Sequence, residues 1–151
     1  MTKKPTASDS GAVNPSRYAE WRKTGIGVVG NKPWGSHFFL FYDTKVDLID
    51  ALVPYFKAGL EHNEFCAWAV AEPLTGEEAR DALSRAIPQF HQHLTDGNIE
   101  ILPGRDFYLT GDQLVLERVS QHWSNKLYRA LQSGYDGMRG SGTSSWLERK
   151  T

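Results

Sequence analysis

"FCAWAVA", Phe65–Ala71, is seven consecutive apolar residues. A strand that is apolar on both faces belongs between two covering layers, as in a parallel sheet with helices on each side. The run is far too short to cross a bilayer, which takes about 20 apolar residues. The flanks carry a different period. Upstream, Leu48, Ile49, Leu52, Phe56 and Leu60 recur at helical spacing, behind a capping pair at Thr44 and Asp47. That predicts a helix to about Glu61, kinked at Pro54, where the ring removes a backbone donor. Downstream, Thr75 and Glu78 form a second capping box, opening a helix through Ile87, and Pro88 suits the first turn of a short helix ending at Asp96-Gly97.

The rest of the chain repeats this grammar. His37–Tyr42 (HFFLFY) reads as a first buried strand and Ile99–Leu102 (IEIL) as a third. Gly104–Gly111 reads as a loop carrying Phe107 and Tyr108. Leu116, Val119, Trp123, Leu127, Ala130 and Leu131 mark a long helix stopped by Ser133-Gly134, and Tyr135–Ser141 is a fourth strand weakened by its glycines. Strands alternating with helices predict an α/β fold: a three-layer α/β/α sandwich with a mainly parallel sheet.

Bulk properties narrow the function. With 151 residues, 40% of them apolar, the chain can bury one sizeable core. A formal net charge of −1 gives no electrostatic footprint for nucleic acid or an anionic membrane. One cysteine, Cys66, rules out an internal disulfide and fits a reducing, cytoplasmic setting. Residues 1–17 read as a disordered polar leader, not a signal peptide, and residues 18–151 as the folded domain.

Gly25, Gly27 and Gly30 spell G-x-G-x-x-G, and Gly25 with Gly30 has phosphate-loop spacing. Neither reading survives. A dinucleotide fingerprint links a strand to a helix, whereas here polar Ala19–Lys23 precedes the glycines and another strand follows them. Asn31 stands where a phosphate loop needs lysine. A hairpin-like lead-in to the first strand fits better. The first strand-to-helix turn, Tyr42-Asp43-Thr44-Lys45, has no glycine, and Asp43 and Asp47 would repel a phosphate.

Long collinear segments then resemble one family. "WRKTGIGVVGNKPWGSHFFLFYDTKVDLIDALVPYFKAGLEHNEFCAWAVAEPL" (Trp21–Leu74), "IEILPGRDFYL" (Ile99–Leu109), "RVSQHWSNKLYRALQSGYDGMR" (Arg118–Arg139) and "WLERK" (Trp146–Lys150) are similar to the MEDS domain, the methanogen/methylotroph sensory domain of the dichloromethane regulator. The resemblance implies a RecA/KaiC-like core that has lost its phosphate (Walker A) loop. It also implies a sensor of small hydrocarbon derivatives, coupled to a histidine kinase or a DNA-binding domain. Members of the family usually continue beyond the Trp-Leu-Glu segment, so the resemblance implies a C-terminally truncated or stand-alone version.

Five side chains are candidates for ligand binding. Cys66, within the apolar strand, is a packing thiol or a soft contact for an apolar or halogenated ligand; no neighbouring Lys or Arg activates it. His37, at the start of its strand, either bonds a carbonyl or serves as a ligand or switch group. Glu72 follows the second strand at the carboxyl edge, where open α/β sheets bind ligands, and is otherwise a solvated turn residue. Tyr42 and Trp68 are core aromatics or pocket lining. His91 and His93 fall two apart on a helix, where they face apart, so neither a metal nor another cofactor is expected. The expected role is non-catalytic: binding a small apolar organic molecule and signalling to a histidine kinase or other signalling protein, with self-association from an uncovered sheet edge. The rivals are a degenerate RecA-like nucleotide binder and a fragment acting only through protein contacts.

Overall fold

The computed structural model describes residues 20–142, and the leader expected over residues 1–17 and the Trp146–Lys150 segment lie outside the described residues. Strands β1 (Trp21–Lys23) and β2 (Asn31–Pro33) form an antiparallel hairpin. Helix α1 (Lys45–Glu61) leads to β3 (Glu64–Val70), then α2 (Gly76–Ala86) and the short α3 (Phe90–Thr95) lead to β4 (Ile99–Pro103). A one-turn helix α4 (Gly104–Tyr108), a two-residue hairpin of β5 (Leu109–Thr110) and β6 (Gln113–Leu114), helix α5 (Leu116–Gln132) and β7 (Gly137–Ser141) complete the described chain.

The fold is α/β. Its sheet has the order β4-β3-β7, and both pairings are parallel, with Cys66 opposite Ile99 and Arg139. Every residue of β3 is buried, as its two-faced apolar run requires. Cys66, Trp68 and Val70 face the larger core with Leu52 and Phe56 of α1, Ala79 and Leu83 of α2, and Phe90. Phe56 stacks on Trp68 with ring centroids 5.2 Å apart. Phe65 and Ala67 face the opposite way onto Ala130 of α5, with Trp123 and Met138 beside them. Both capping boxes form, Thr44 with Asp47 and Thr75 with Glu78, which satisfies orphan donors at the starts of α1 and α2.

Two expectations are corrected. His37–Tyr42 forms no strand. The stretch has no ladder partner among the described residues, and its aromatics are not covered: Phe39 is 90% and Phe41 95% exposed. Only one side touches the protein, through Phe38 against Tyr55 and Tyr42 against the main core. Gly104–Gly111, read as a loop, instead carries α4 and the start of the β5–β6 hairpin, because Phe107 is drawn down onto Trp123, centroids 4.7 Å apart.

The glycine motif is a turn. Thr24, buried, donates its hydroxyl to the Gly30 carbonyl at 2.6 Å and closes the loop between β1 and β2. Gly25 has φ +81°, and a Cβ there would run into the Pro54 carbonyl of α1. The hairpin is tied down by one side chain. The Arg139 guanidinium, 5% exposed, donates to the carbonyls of Lys23 (2.7 Å), Thr24 (3.0 Å) and Tyr55 (2.7 Å) and to Glu64 Oε2 (2.9 Å). It also lies over the Tyr55 ring. Glu64 is equally buried; loss of water pushes its carboxyl above the usual range, while Arg139 pulls it back.

Candidate functional site

Parallel sheets place ligands beyond the carboxyl ends of their strands, because the turns there are free to shape a crevice. Here β3 and β4 run side by side and end at Val70 and Pro103. After Val70 the chain turns through Ala71-Glu72-Pro73, with a cis Glu72–Pro73 bond, and Thr75 starts α2. After Pro103 it enters α4 directly. Gly104 makes this possible: a Cβ at that position would sit 2.8 Å from the Val70 carbonyl oxygen and 3.2 Å from the Ala71 methyl. The two turns therefore close against each other at their base and diverge above it.

Between them lies a cleft of about 550 Å³, within the ~300–1,000 Å³ range of small-molecule sites. Val70, Leu74, Ile101, Leu102, Pro103 and Leu109 supply apolar wall. Polar groups stand at its margin: Glu72, Thr75, Arg80, Arg105 and Asp112. Arg105 is paired with Asp112 at 2.6 Å, both well exposed. Arg80 makes no hydrogen bond or ion pair among the described residues and bends back along α2, its Nη1 lying 3.3 Å from where a Gly76 Cβ would be. A second hollow, about 470 Å³, lies between α1 and α2 behind the Lys45–Glu78 ion pair. It is a groove between helices with no strand end opening into it.

Of the five expected ligand-binding side chains, the cleft contains Glu72, which is exposed in the turn. Trp68, two residues before the end of β3, is 2% exposed and engaged with Phe56. Cys66 is wholly buried beneath Gly59, where a Cβ would lie 2.8 Å from its Sγ, and burial pushes its thiol pKa up. Tyr42 packs at the edge of the main core, and His37 is exposed in the irregular stretch before α1. His93 Nδ1 lies 3.0 Å from Asn98 Nδ2. The sequence reading missed Arg80, Gly104 and Arg105. Pro103-Gly104 directly after a predicted strand was the available signal for the second wall; Arg80 offered none beyond its place one turn into a helix.

No helix among the described residues is long and apolar enough to cross a membrane. No curated protein and no solved structure matches the chain. A family model does: MEDS, "MEthanogen/methylotroph, DcmR Sensory domain", matches residues 36–151, well over half of the sequence. The chain belongs to the MEDS family of sensory domains.

Proposed function

We propose that this domain is a non-catalytic input module whose carboxyl-edge cleft takes a small organic molecule and whose occupancy is read by a histidine kinase or another signalling protein. The observation that carries this is the apolar-walled cleft of about 550 Å³ at the ends of β3 and β4 in a chain of a sensory family. The first strand-to-helix connection supports it from the other direction. Thr44 and Asp47 are spent on capping α1, so nothing at that turn is arranged to cradle a phosphate. In our reading the domain is a RecA-like core that has given up nucleotide binding. Glu72 takes part in the site, while Trp68 and Cys66 hold the floor of β3 beneath it, and Tyr42 and His37 lie apart. The exposed Phe39 and Phe41 side chains belong, in the same reading, to an interface with a second copy.

The test is a melting-temperature screen of short alcohols, halomethanes, amines and acids, with ATP–Mg²⁺ as control. A ligand at about a hundred times its dissociation constant stabilises the fold by ~2.7 kcal/mol, a shift of roughly 5–10 °C for a domain this size. Leu109→Trp, which fills the rim without entering the core, should abolish that shift. A shift from ATP alone, or one untouched by Leu109→Trp, contradicts the proposal.

A further inference from the structure

We infer that the ligand of this cleft carries an acid group, held by Arg80, with its carbon chain against the apolar walls. The inference rests on the cleft being the sensory site. Its charges are unevenly satisfied. Arg105 already has Asp112 at 2.6 Å. On α2, Glu78 is committed to Lys45 at 2.6 Å and to the Thr75 amide at 2.9 Å, while the exposed Glu77, three residues before Arg80, makes no ion pair with it among the described residues. Arg80 alone among the cleft's cations has no such partner within the described residues.

Its position matters as much as its isolation. The guanidinium folds back over Gly76 in the first turn of α2. Helix starts carry partial positive charge, so a cation held there is disfavoured and a bound anion relieves both at once. A Cβ at position 76 would lie 3.3 Å from Arg80 Nη1, which places the guanidinium directly against the start of α2. Arginine presents a planar fork of donors that matches a carboxylate in two parallel bonds. Leu74, Ile101 and Leu109 lie in the same cleft, so a carboxylate seated at Arg80 leaves a chain of a few carbons on apolar surface. A bare inorganic anion would leave that surface unused. The class is a short-chain organic carboxylate.

The experiment is a calorimetric titration of the whole chain with a matched series: pentanoate, pentan-1-ol, pentylamine and inorganic phosphate. A charge-assisted pair predicts that pentanoate binds about tenfold or more tighter than the alcohol. Raising the salt should weaken the acid and not the alcohol. Arg80→Gln should bring pentanoate down to the level of pentan-1-ol, and the melting temperature should hold because the side chain is exposed. Equal affinity for acid and alcohol, or no effect of Arg80→Gln, overturns the acid-group inference and leaves the cleft standing. Tightest binding by pentylamine, lost in Glu72→Gln, reverses the sign of the site and also overturns it. Phosphate matching pentanoate would show an anion site without a carbon-chain subsite, against the inference. No heat from any organic member of the series sinks this inference and the sensory cleft together.

Discussion

Arg139→Met tests the physical frame on which the cleft stands. The substitution keeps a long apolar side chain but removes the guanidinium. Three carbonyls, of Lys23, Thr24 and Tyr55, lose a donor, and Glu64, 2% exposed, keeps only the more distant Arg22 guanidinium, 3.6 Å from its Oε2. Individual bonds to a charged group are worth ~1.5–3 kcal/mol, but these share one side chain and do not add. Breaking a buried pair by removing one partner costs about 3–5 kcal/mol, which for a domain this size lowers the melting temperature by roughly 6–20 °C. The pH dependence has a definite sign. Glu64 is already held above its ordinary range by burial, and loss of Arg139 pushes it further. A carboxyl whose pKa is raised in the folded state takes up a proton on folding, so its contribution is fully present below the unfolded pKa and fades as pH rises through the folded one. The variant should therefore lose less stability in mild acid than at pH 8. The second partner gives the control: Arg139→Met with Glu64→Leu should be more stable than Arg139→Met alone, because no orphan charge remains. Urea unfolding at the two pH values reads all of this. A loss under about 1 kcal/mol, or a double variant no better than the single, would refute the account of this pair as the clamp on the hairpin.

Two further outcomes follow from burial and exposure. Cys66, wholly buried with a thiol pKa raised by that burial, should react with a thiol reagent only when the fold opens; at pH 8 the native rate should fall about a thousandfold or more below that in denaturant. A rate within tenfold of the unfolded one would place the thiol on an accessible surface. Phe39→Ser with Phe41→Ser should lower the mass seen by light scattering at high protein concentration while leaving the melting temperature nearly unchanged, since these rings are 90% and 95% exposed. A monomeric parent, or a variant that associates equally, contradicts the proposed contact between copies.

The parts of the fold that could be read from sequence are those with a local cause. Thr44–Asp47 and Thr75–Glu78 announce helix starts through bonds made within four residues, and both caps are present. The seven-residue apolar run fixed β3 as the central strand because only a strand covered on both sides tolerates it. What failed depends on partners distant in sequence. HFFLFY has strand composition, but a strand also needs a neighbouring backbone, and none among the described residues lies beside it. Glu64 fell one residue outside the predicted strand Phe65–Ala71 and Arg139 inside a fourth strand read only as weakened by glycines, so their pairing was not anticipated; the carbonyls gathered around Arg139 from β1 and α1 left no trace in the sequence. For the site, the carboxyl edge and Glu72 were legible from the order of strand and turn. Trp68 and Cys66 drew attention by residue type, but their alternation along β3 turns them into the core.

The most direct test of the sensory cleft is an amide chemical-shift map. The ¹⁵N-labelled protein is titrated with whichever compound gives the largest melting shift. Amides from Ala71 to Arg80 and from Leu102 to Asp112 should move together along one binding curve, while Thr24–Gly30 of the hairpin and Asp81–Ala86 beside the α1–α2 groove stay in place. Shifts centred on the hairpin glycines or on the groove, with the carboxyl-edge turns unmoved, would contradict it.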